Sequence, residues 1–271
     1  MANLDLDVLA RLPMWEWPEE AREAILAGLS EPEDRELAVE LAAEIAGHEE
    51  QVAAALLDVV EADEAPPELR AGAAIALGPG LEEYSNEVGF DLGIGEPDTW
   101  SKALFDAVTA TLRRLVDDEA APTLLRRRAL EASVRAPQPW LADAVRAALE
   151  RPGPEWRMTA IFAARWVPGF EDAIREALGA THPEVLAQAL LAAGAREMRE
   201  AGAVALRLAR SPETELELRL AAVAALATVE ARGAEDLLLT LSEHEDGELS
   251  DVARDALMQR RLVSGELEDE L

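Results

Sequence analysis

Apolar residues recur along most of the chain at the three- and four-residue spacing of helices. One stretch in the C-terminal half shows the pattern clearly: Leu186, Ala189, Leu190 and Ala193. These residues stand at i, i+3, i+4 and i+7, so they share one face of an α-helix. Residues 220 to 227 repeat the spacing. The pattern predicts an all-helical protein, with no segment that favours a strand.

A short motif marks a repeat along these helices: an arginine followed three residues later by an alanine. It occurs at Arg35–Ala38, Arg70–Ala73, Arg126–Ala129, Arg157–Ala160 and Arg219–Ala222, with degenerate copies at Leu186–Ala189 and Ser250–Ala253. Successive anchors are 35, 56, 31, 29, 33 and 31 residues apart. Repeats of this length are typical of stacked helical hairpins, each of which buries its apolar face against the next. We therefore predict about seven hairpins, with each anchor on the second helix.

Proline and glutamate mark the starts of several second helices. A proline stands three residues before four of the anchors, and a glutamate follows it: Pro32, Pro67, Pro154 and Pro183. Proline in the first turn of a helix sacrifices no hydrogen bond, and glutamate there complements the helix dipole. We expect the anchor arginines to form a structural ladder that pairs with acids of neighbouring repeats.

The residues from 67 to 78 and from 217 to 226 resemble the second helix of the HEAT-like repeat family, which includes armadillo-type and phycobilisome-lyase-like repeats. The resemblance covers residues 18–262. It implies a right-handed α–α superhelix, a HEAT-like solenoid, and leaves the function open because such arrays serve many roles.

The chain divides around this array into five segments. They are a capping segment at 1–17, repeats one and two at 18–77, an insertion at 78–98, repeats three to seven at 99–262, and an acidic tail at 263–271. The capping segment contains Trp15 and Trp17, which either cover the first repeat or form an aromatic hook for a partner.

The 56-residue step contains the insertion, whose five glycines and two prolines predict a loop. Long loops in compact arrays are often functional, and insertions in repeat proteins often line the binding face. Candidate partner contacts in this segment are Tyr84, Phe90, Leu92 and Ile94. An ordinary surface excursion is the alternative.

Basic residues concentrate in the middle of an acidic chain. The formal charge is −30, yet residues 101–175 carry eleven arginines and one lysine against ten acids. Further candidate partner contacts lie there: Arg113, Arg114, Arg127 and Arg128. Such a cluster suits an acidic peptide or a phosphate group, or else internal charge pairing.

Composition narrows the possible partners and compartment. The acidic surface repels phosphate backbones, so we expect no nucleic-acid binding. Cysteine is absent, no apolar run approaches a membrane span, and the N-terminus lacks the features of a secretory signal. We expect a cytoplasmic protein without membrane association.

Three histidines each stand near a glutamate: His48, His182 and His244. HEAT-like metal hydroxylases bind a di-iron centre through paired His-Glu motifs, but these histidines fall between helices and in distant repeats. We predict no metal, no cofactor and no catalytic residue.

The sequence thus favours a non-enzymatic scaffold or adaptor that binds protein partners. The alternatives are a HEAT-like enzyme (a metal-dependent hydroxylase, a bilin lyase or isomerase, or a base-excision enzyme) and a regulatory subunit of a complex.

Overall fold

The computed structural model describes residues 4–90 and 100–264, and every regular element in these ranges is a helix. The α-helices are α1 (Leu6–Leu9), α2 (Ala21–Ser30), α3 (Arg35–Ile45), α4 (Glu50–Glu61), α5 (Pro67–Ala76), α6 (Gly78–Phe90), α7 (Lys102–Asp117), α8 (Thr123–Ser133), α9 (Leu141–Glu150), α10 (Pro154–Ala163), α11 (Glu171–Ala177), α12 (Pro183–Ala195), α13 (Gly202–Arg210), α14 (Leu216–Ala225), α15 (Ala234–Leu241) and α16 (Gly247–Ser264). Short 3-10 helices cover Met14–Glu16 and Arg199–Ala201. Within the described residues, no helix combines the length and the apolar character needed to cross a bilayer.

The helices form two compact units, Met1–Ala144 and Val145–Leu271. In the first unit, the hairpins are α2–α3, α4–α5 and α7–α8, and their second helices pack in the order α3, α5, α8. In the second unit, the hairpins α11–α12, α13–α14 and α15–α16 follow α10, and the second helices pack in the order α10, α12, α14, α16. Each unit is therefore a helical repeat of the HEAT/armadillo-like kind, which confirms the predicted fold class.

The seven anchors lie on the seven second helices, α3, α5, α8, α10, α12, α14 and α16. Every anchor alanine is completely buried: Ala38, Ala73, Ala129, Ala160, Ala189, Ala222 and Ala253. A methyl side chain at this position lets neighbouring helices approach closely. Pro67, Pro154 and Pro183 are the first residues of their helices, whereas Pro32 stands three residues before the first residue of α3.

The anchor arginines cap the first helix of their own hairpin. Their Nε atoms donate hydrogen bonds to the carbonyl of the penultimate residue of that helix: Arg35 to Leu29 at 2.8 Å, Arg70 to Val60 at 2.9 Å, Arg126 to Val116 at 3.4 Å and Arg219 to Ala209 at 3.0 Å. The last carbonyls of a helix lack partners within it. The ladder is structural, as predicted, but its main partners are carbonyls of the same hairpin and not acids of neighbouring repeats.

A second set of hydrogen bonds joins consecutive second helices at their C-terminal ends. In the second unit, Arg196 Nε donates to the Ala164 carbonyl at 3.0 Å, Thr228 Oγ1 to Gly194 at 2.6 Å and Arg260 Nη1 to Leu226 at 2.7 Å. In the first unit, the donor to the end of a second helix comes instead from the residue before α7: Trp100 Nε1 donates to the Ala46 carbonyl, just after α3, at 2.7 Å. Donor and acceptor are 32 to 34 residues apart in the second unit and 54 in the first.

The prediction of a loop at 78–98 is wrong for residues 78–90, which form α6. The two glycines and the proline of Gly78-Pro79-Gly80 fall in the first turn, where proline is tolerated. Leu81 and Tyr84 are buried three residues apart, so tertiary packing compensates for the weak helix propensity of the segment. Residues 91–98 lie outside the described ranges.

The two tryptophans near the N-terminus have different environments. Trp17 Nε1 donates hydrogen bonds to the carbonyls of Leu9 and Leu12, both at 3.1 Å. Leu6 and Leu9 of α1 are buried, and α1 packs on α2 and α3. Trp15, by contrast, is 81% exposed.

Candidate functional site

Helix α6 packs tightly against Trp100, at the edge of the first repeats. A Cβ atom at Gly80 would lie 2.6 Å from Trp100 Cε2, so only glycine fits there. Trp100 itself is 1% exposed. The inserted helix is therefore an integral part of the packing of the first unit.

Tyr84 is buried in this packing, at 7% exposure. Its ring stacks on Phe105 of α7, with 4.3 Å between centroids and 21° between planes. This environment leaves little of the Tyr84 side chain accessible to a partner. Phe90 ends α6, whereas Leu92 and Ile94 lie outside the described residues.

Two acids of α6 bind residues of other helices. Glu82 Oε2 lies 3.0 Å from Arg135 Nη1, just after α8. Glu83 Oε1 lies 3.3 Å from His48 Nε2 in the α3–α4 turn. These contacts fix α6 at the ends of the neighbouring hairpins.

Arg113 and Arg114 of α7 line a shallow cleft of about 360 Å³, which also contains Trp140. The Arg113 guanidinium lies 5.8 Å from the Trp140 ring centroid and its Nε lies 3.7 Å from Asp117 Oδ2. Arg114 Nη2 lies 3.3 Å from Glu61 Oε1 of α4. Both arginines thus have acidic partners within the first unit.

Arg127 and Arg128 of α8 separate into two environments. Arg127 is buried, at 7% exposure, which leaves little of its side chain accessible to a partner. Arg128 remains half-exposed and its Nη1 lies 2.5 Å from Glu131 Oε2, whose side chain is only 4% exposed. The predicted arginine cluster therefore contributes mainly to internal charge pairing.

A groove on the second unit is lined by residues on or just after four successive second helices, α10, α12, α14 and α16. We call it the second-helix groove. It is lined by Arg165, Leu191, Gly194, Ala195, Ala224, Ala225, Thr228 and Gln259, and its volume is about 210 Å³. Its floor consists of small and apolar residues on α12 and α14. Sequence reasoning did not identify these residues, because their small side chains carry no chemical signature.

Arg165, which lines one side of this groove, lies against two aromatic rings. The guanidinium of Arg165 lies 4.8 Å from the Trp166 ring centroid and 5.6 Å from that of Phe162. The two rings are themselves 4.8 Å apart. Stacking on aromatic faces restrains the planar head group of an arginine.

Exposed glutamates stand in the first turn of each second helix of this unit: Glu155, Glu184, Glu217 and Glu248. One acid per repeat produces a regular negative row along the unit. We call it the acidic row.

The three histidines lie in separate environments. His48 contacts Glu83, His182 is the N-cap residue of α12, and His244 Nδ1 accepts a hydrogen bond from the Asp246 amide at 3.0 Å. Among the described residues, no group of three or more histidine, aspartate and glutamate side chains is placed to hold a metal ion.

Two carboxyl groups in the second unit are shifted toward the charged form. Hydrogen bonds from its own backbone N–H and from that of Gly169 lower the pKa of Glu171. The pKa of Glu200 is lowered first by its own backbone N–H and then by Arg175, whose Nη2 lies 3.1 Å from Glu200 Oε1. Both groups are exposed at the starts of helices, so these shifts reflect local capping and not an acid–base site.

Comparisons with known proteins complete this description. No family model matches the chain, and neither does any curated protein sequence. Among solved structures, human deoxyhypusine hydroxylase in complex with glycerol is similar at 16% identity, with 94% of this chain and 96% of that chain covered and a TM-score of 0.43. YibA of E. coli is similar at 15% identity, with 93% and 85% covered and a TM-score of 0.44. A designed armadillo repeat protein is similar at 18% identity, with 87% and 98% covered and a TM-score of 0.32. At these sequence identities and TM-scores, the similarities say nothing about function, which has to rest on the residues of this chain.

Proposed function

We propose that the protein is a non-enzymatic scaffold or adaptor that binds a protein partner along its second helices. The observation that carries the proposal is the second-helix groove, which is lined by residues from four successive repeats. Repeat arrays commonly present extended surfaces of this kind to their partners.

The groove suits one or more apolar side chains of a partner segment. Leu191 and Ala224 are partly exposed on its floor, and Ala195 is exposed. Small side chains leave room for a partner residue to insert, while the exposed Gln259 at the border supplies a hydrogen-bond donor and an acceptor. Interfaces of this type combine an apolar centre with a polar rim.

The net charge of the C-terminal part of the chain favours a basic partner. Residues 176–271 carry 20 acids against nine basic residues. A partner segment with lysine or arginine beside its apolar residues complements this field, and electrostatic complementarity mainly increases the association rate and the specificity. The same field repels nucleic-acid backbones.

An affinity capture from a lysate of the source organism tests the proposal. The intact protein and an Ala195→Arg variant serve as baits at two salt concentrations, because the added side chain fills the groove and repels a basic partner. Ala147→Arg is the matched control, since Ala147 is exposed on the first helix α9, away from the groove. Cross-linking then maps the contact of any captured protein.

We expect a stoichiometric protein that is retained by the control and lost by Ala195→Arg, with cross-links on α12 and α14. A partner that both variants retain would contradict the groove as the site. A bait that instead carries a bound metal or chromophore and turns over a substrate would favour the enzyme alternative. Capture of a multi-subunit enzyme would favour the regulatory-subunit alternative.

A further inference from the structure

Arg157 uses its anchor position differently from the other anchor arginines. Arg35, Arg70, Arg126 and Arg219 donate from Nε to the end of the preceding helix. Arg157 Nη2 instead lies 2.7 Å from Glu176 Oε1 of α11, and its side chain is 40% exposed. Its guanidinium therefore faces a cleft between two hairpins of the second unit.

This cleft lies where α10 and α12 begin and has a volume of about 690 Å³, so we call it the turn cleft. Small-molecule sites in proteins commonly enclose about 300 to 1,000 Å³. Arg151, Arg157 and His182 line it, and Glu176 is the only acid among its lining residues. Two arginines in one cleft are unusual in a chain of formal charge −30.

The two arginines are suited to bind an anion. The Arg151 guanidinium lies 4.6 Å from the ring centroid of Trp156, and stacking of this kind restrains its planar head group. The Arg157–Glu176 pair is exposed, with 74% of the Glu176 side chain accessible. Exposed ion pairs contribute little stability, so an incoming anion can replace Glu176 at low cost.

Apolar residues complete the turn cleft. Leu149 at the end of α9 is half-buried, and Val185 in the first turn of α12 is buried. We propose that the turn cleft binds a small organic anion, with its phosphate or carboxylate group between Arg151 and Arg157 and its apolar part on Leu149 and Val185. Guanidinium groups bind both kinds of oxyanion through charge-assisted hydrogen bonds. This site is separate from the second-helix groove and does not depend on a protein partner.

Titrations of the full-length protein with phenyl phosphate, benzoate and inorganic phosphate test the proposal. All titrations are made at constant ionic strength, with sodium chloride as the reference. The readout is the indole N–H signal of Trp156 in ¹H–¹⁵N NMR spectra, assigned with a Trp156→Phe variant. A tighter affinity for phenyl phosphate than for benzoate identifies a phosphate ester as the ligand class, and the reverse order identifies a carboxylate. Weaker binding of inorganic phosphate than of phenyl phosphate shows the contribution of the apolar part.

We expect a saturable shift, and at least a tenfold loss of affinity in Arg157→Gln and in Arg151→Gln. Glu176→Gln should increase the affinity several-fold. It removes the carboxylate that pairs with Arg157 and competes with the anion, and it removes no ligand contact. Arg199→Gln is the matched control, since Arg199 is 77% exposed and pairs with Glu230 elsewhere in the unit. Thermal unfolding confirms that each variant is folded.

Three results would overturn the proposal. The first is a linear shift equal to that produced by chloride. The second is an affinity that Arg157→Gln and Arg151→Gln leave unchanged. The third is an equal loss of affinity in Arg199→Gln, which would indicate a general effect of net charge.

Discussion

The indole N–H of Trp100 donates a 2.7 Å hydrogen bond to the carbonyl oxygen of Ala46, across 54 residues of sequence. In the second unit, a residue near the end of the next second helix makes the equivalent bond, as Arg196 does to Ala164. In the first unit, α6 follows α5 directly, and Trp100, just before α7, donates to the carbonyl just after α3. A residue before a first helix therefore takes the donor role that the end of a second helix has in the second unit.

The hydrogen bond from Trp100 to Ala46 predicts the effect of removing its donor. Trp100→Phe retains most of the buried ring but leaves the carbonyl of Ala46 without this hydrogen bond. We expect a loss of about 1 to 3 kcal/mol in the free energy of unfolding, because a buried acceptor loses its partner. Urea unfolding measures the change. An unchanged midpoint would mean that water or another donor satisfies the carbonyl.

Gly80 tests the close packing of α6. A Gly80→Ala variant would place a methyl group 2.6 Å from Trp100 Cε2, and we expect a destabilisation of about 1 to 3 kcal/mol. Gly72→Ala on α5 is the control, because its Cβ would lie 3.5 Å from Val39 Cγ1, an ordinary contact. The control should gain up to about 1 kcal/mol from helix propensity. Thermal denaturation of both variants gives opposite shifts if the packing is as described.

Tyr84 separates packing from partner binding. Because its ring is buried on Phe105, we expect Tyr84→Ala to cost about 3 to 5 kcal/mol, as aromatic truncations in cores do. Tyr84→Phe retains the stacked ring and should leave stability and partner capture close to those of the intact protein. Loss of partner capture by a stably folded Tyr84→Phe protein would support Tyr84 as a contact residue.

The same substitution at two anchor arginines should change the free energy of unfolding by different amounts. Arg70 is 8% exposed and donates to Val60, so Arg70→Met should cost about 2 kcal/mol in the free energy of unfolding. Arg157→Met removes an exposed ion pair and should cost less than about 1 kcal/mol. Chemical denaturation of the two variants measures the difference, and equal losses would contradict the distinct role assigned to Arg157.

The ion pair of Glu200 with Arg175 predicts a pH dependence. The pKa of Glu200 is lowered in the folded protein, so its contribution to stability is present above the unfolded pKa and is lost as the pH falls through the folded pKa. Arg175→Gln should raise the pKa of Glu200 only partly toward its ordinary value, because the hydrogen bond from its own backbone N–H remains. A carboxyl NMR titration of both proteins measures this. A pKa that is identical in the two proteins would contradict the contribution of Arg175.

Much of the repeat could be predicted from the sequence because its signals are local. The anchor motif placed all seven second helices, and Pro67, Pro154 and Pro183 marked helix starts. The candidate site was less predictable. Leu191 and Ala195 carry no pattern that distinguishes a groove from a core, and Tyr84 in a glycine-rich segment gave no sign of its burial on Phe105.

The sequence by itself determined the helical period, the seven anchors and the acidic character, since these depend on residue spacing and composition. Only the tertiary structure decided which atoms the anchors bind, because arginine can pair with a carbonyl as readily as with a carboxylate. It also decided that residues 78–90 form a helix, since burial of Leu81 and Tyr84 offsets the poor helix propensity of three glycines and a proline. Contacts between residues as distant in sequence as Ala46 and Trp100 depend on how the whole chain packs, and no local pattern encodes them.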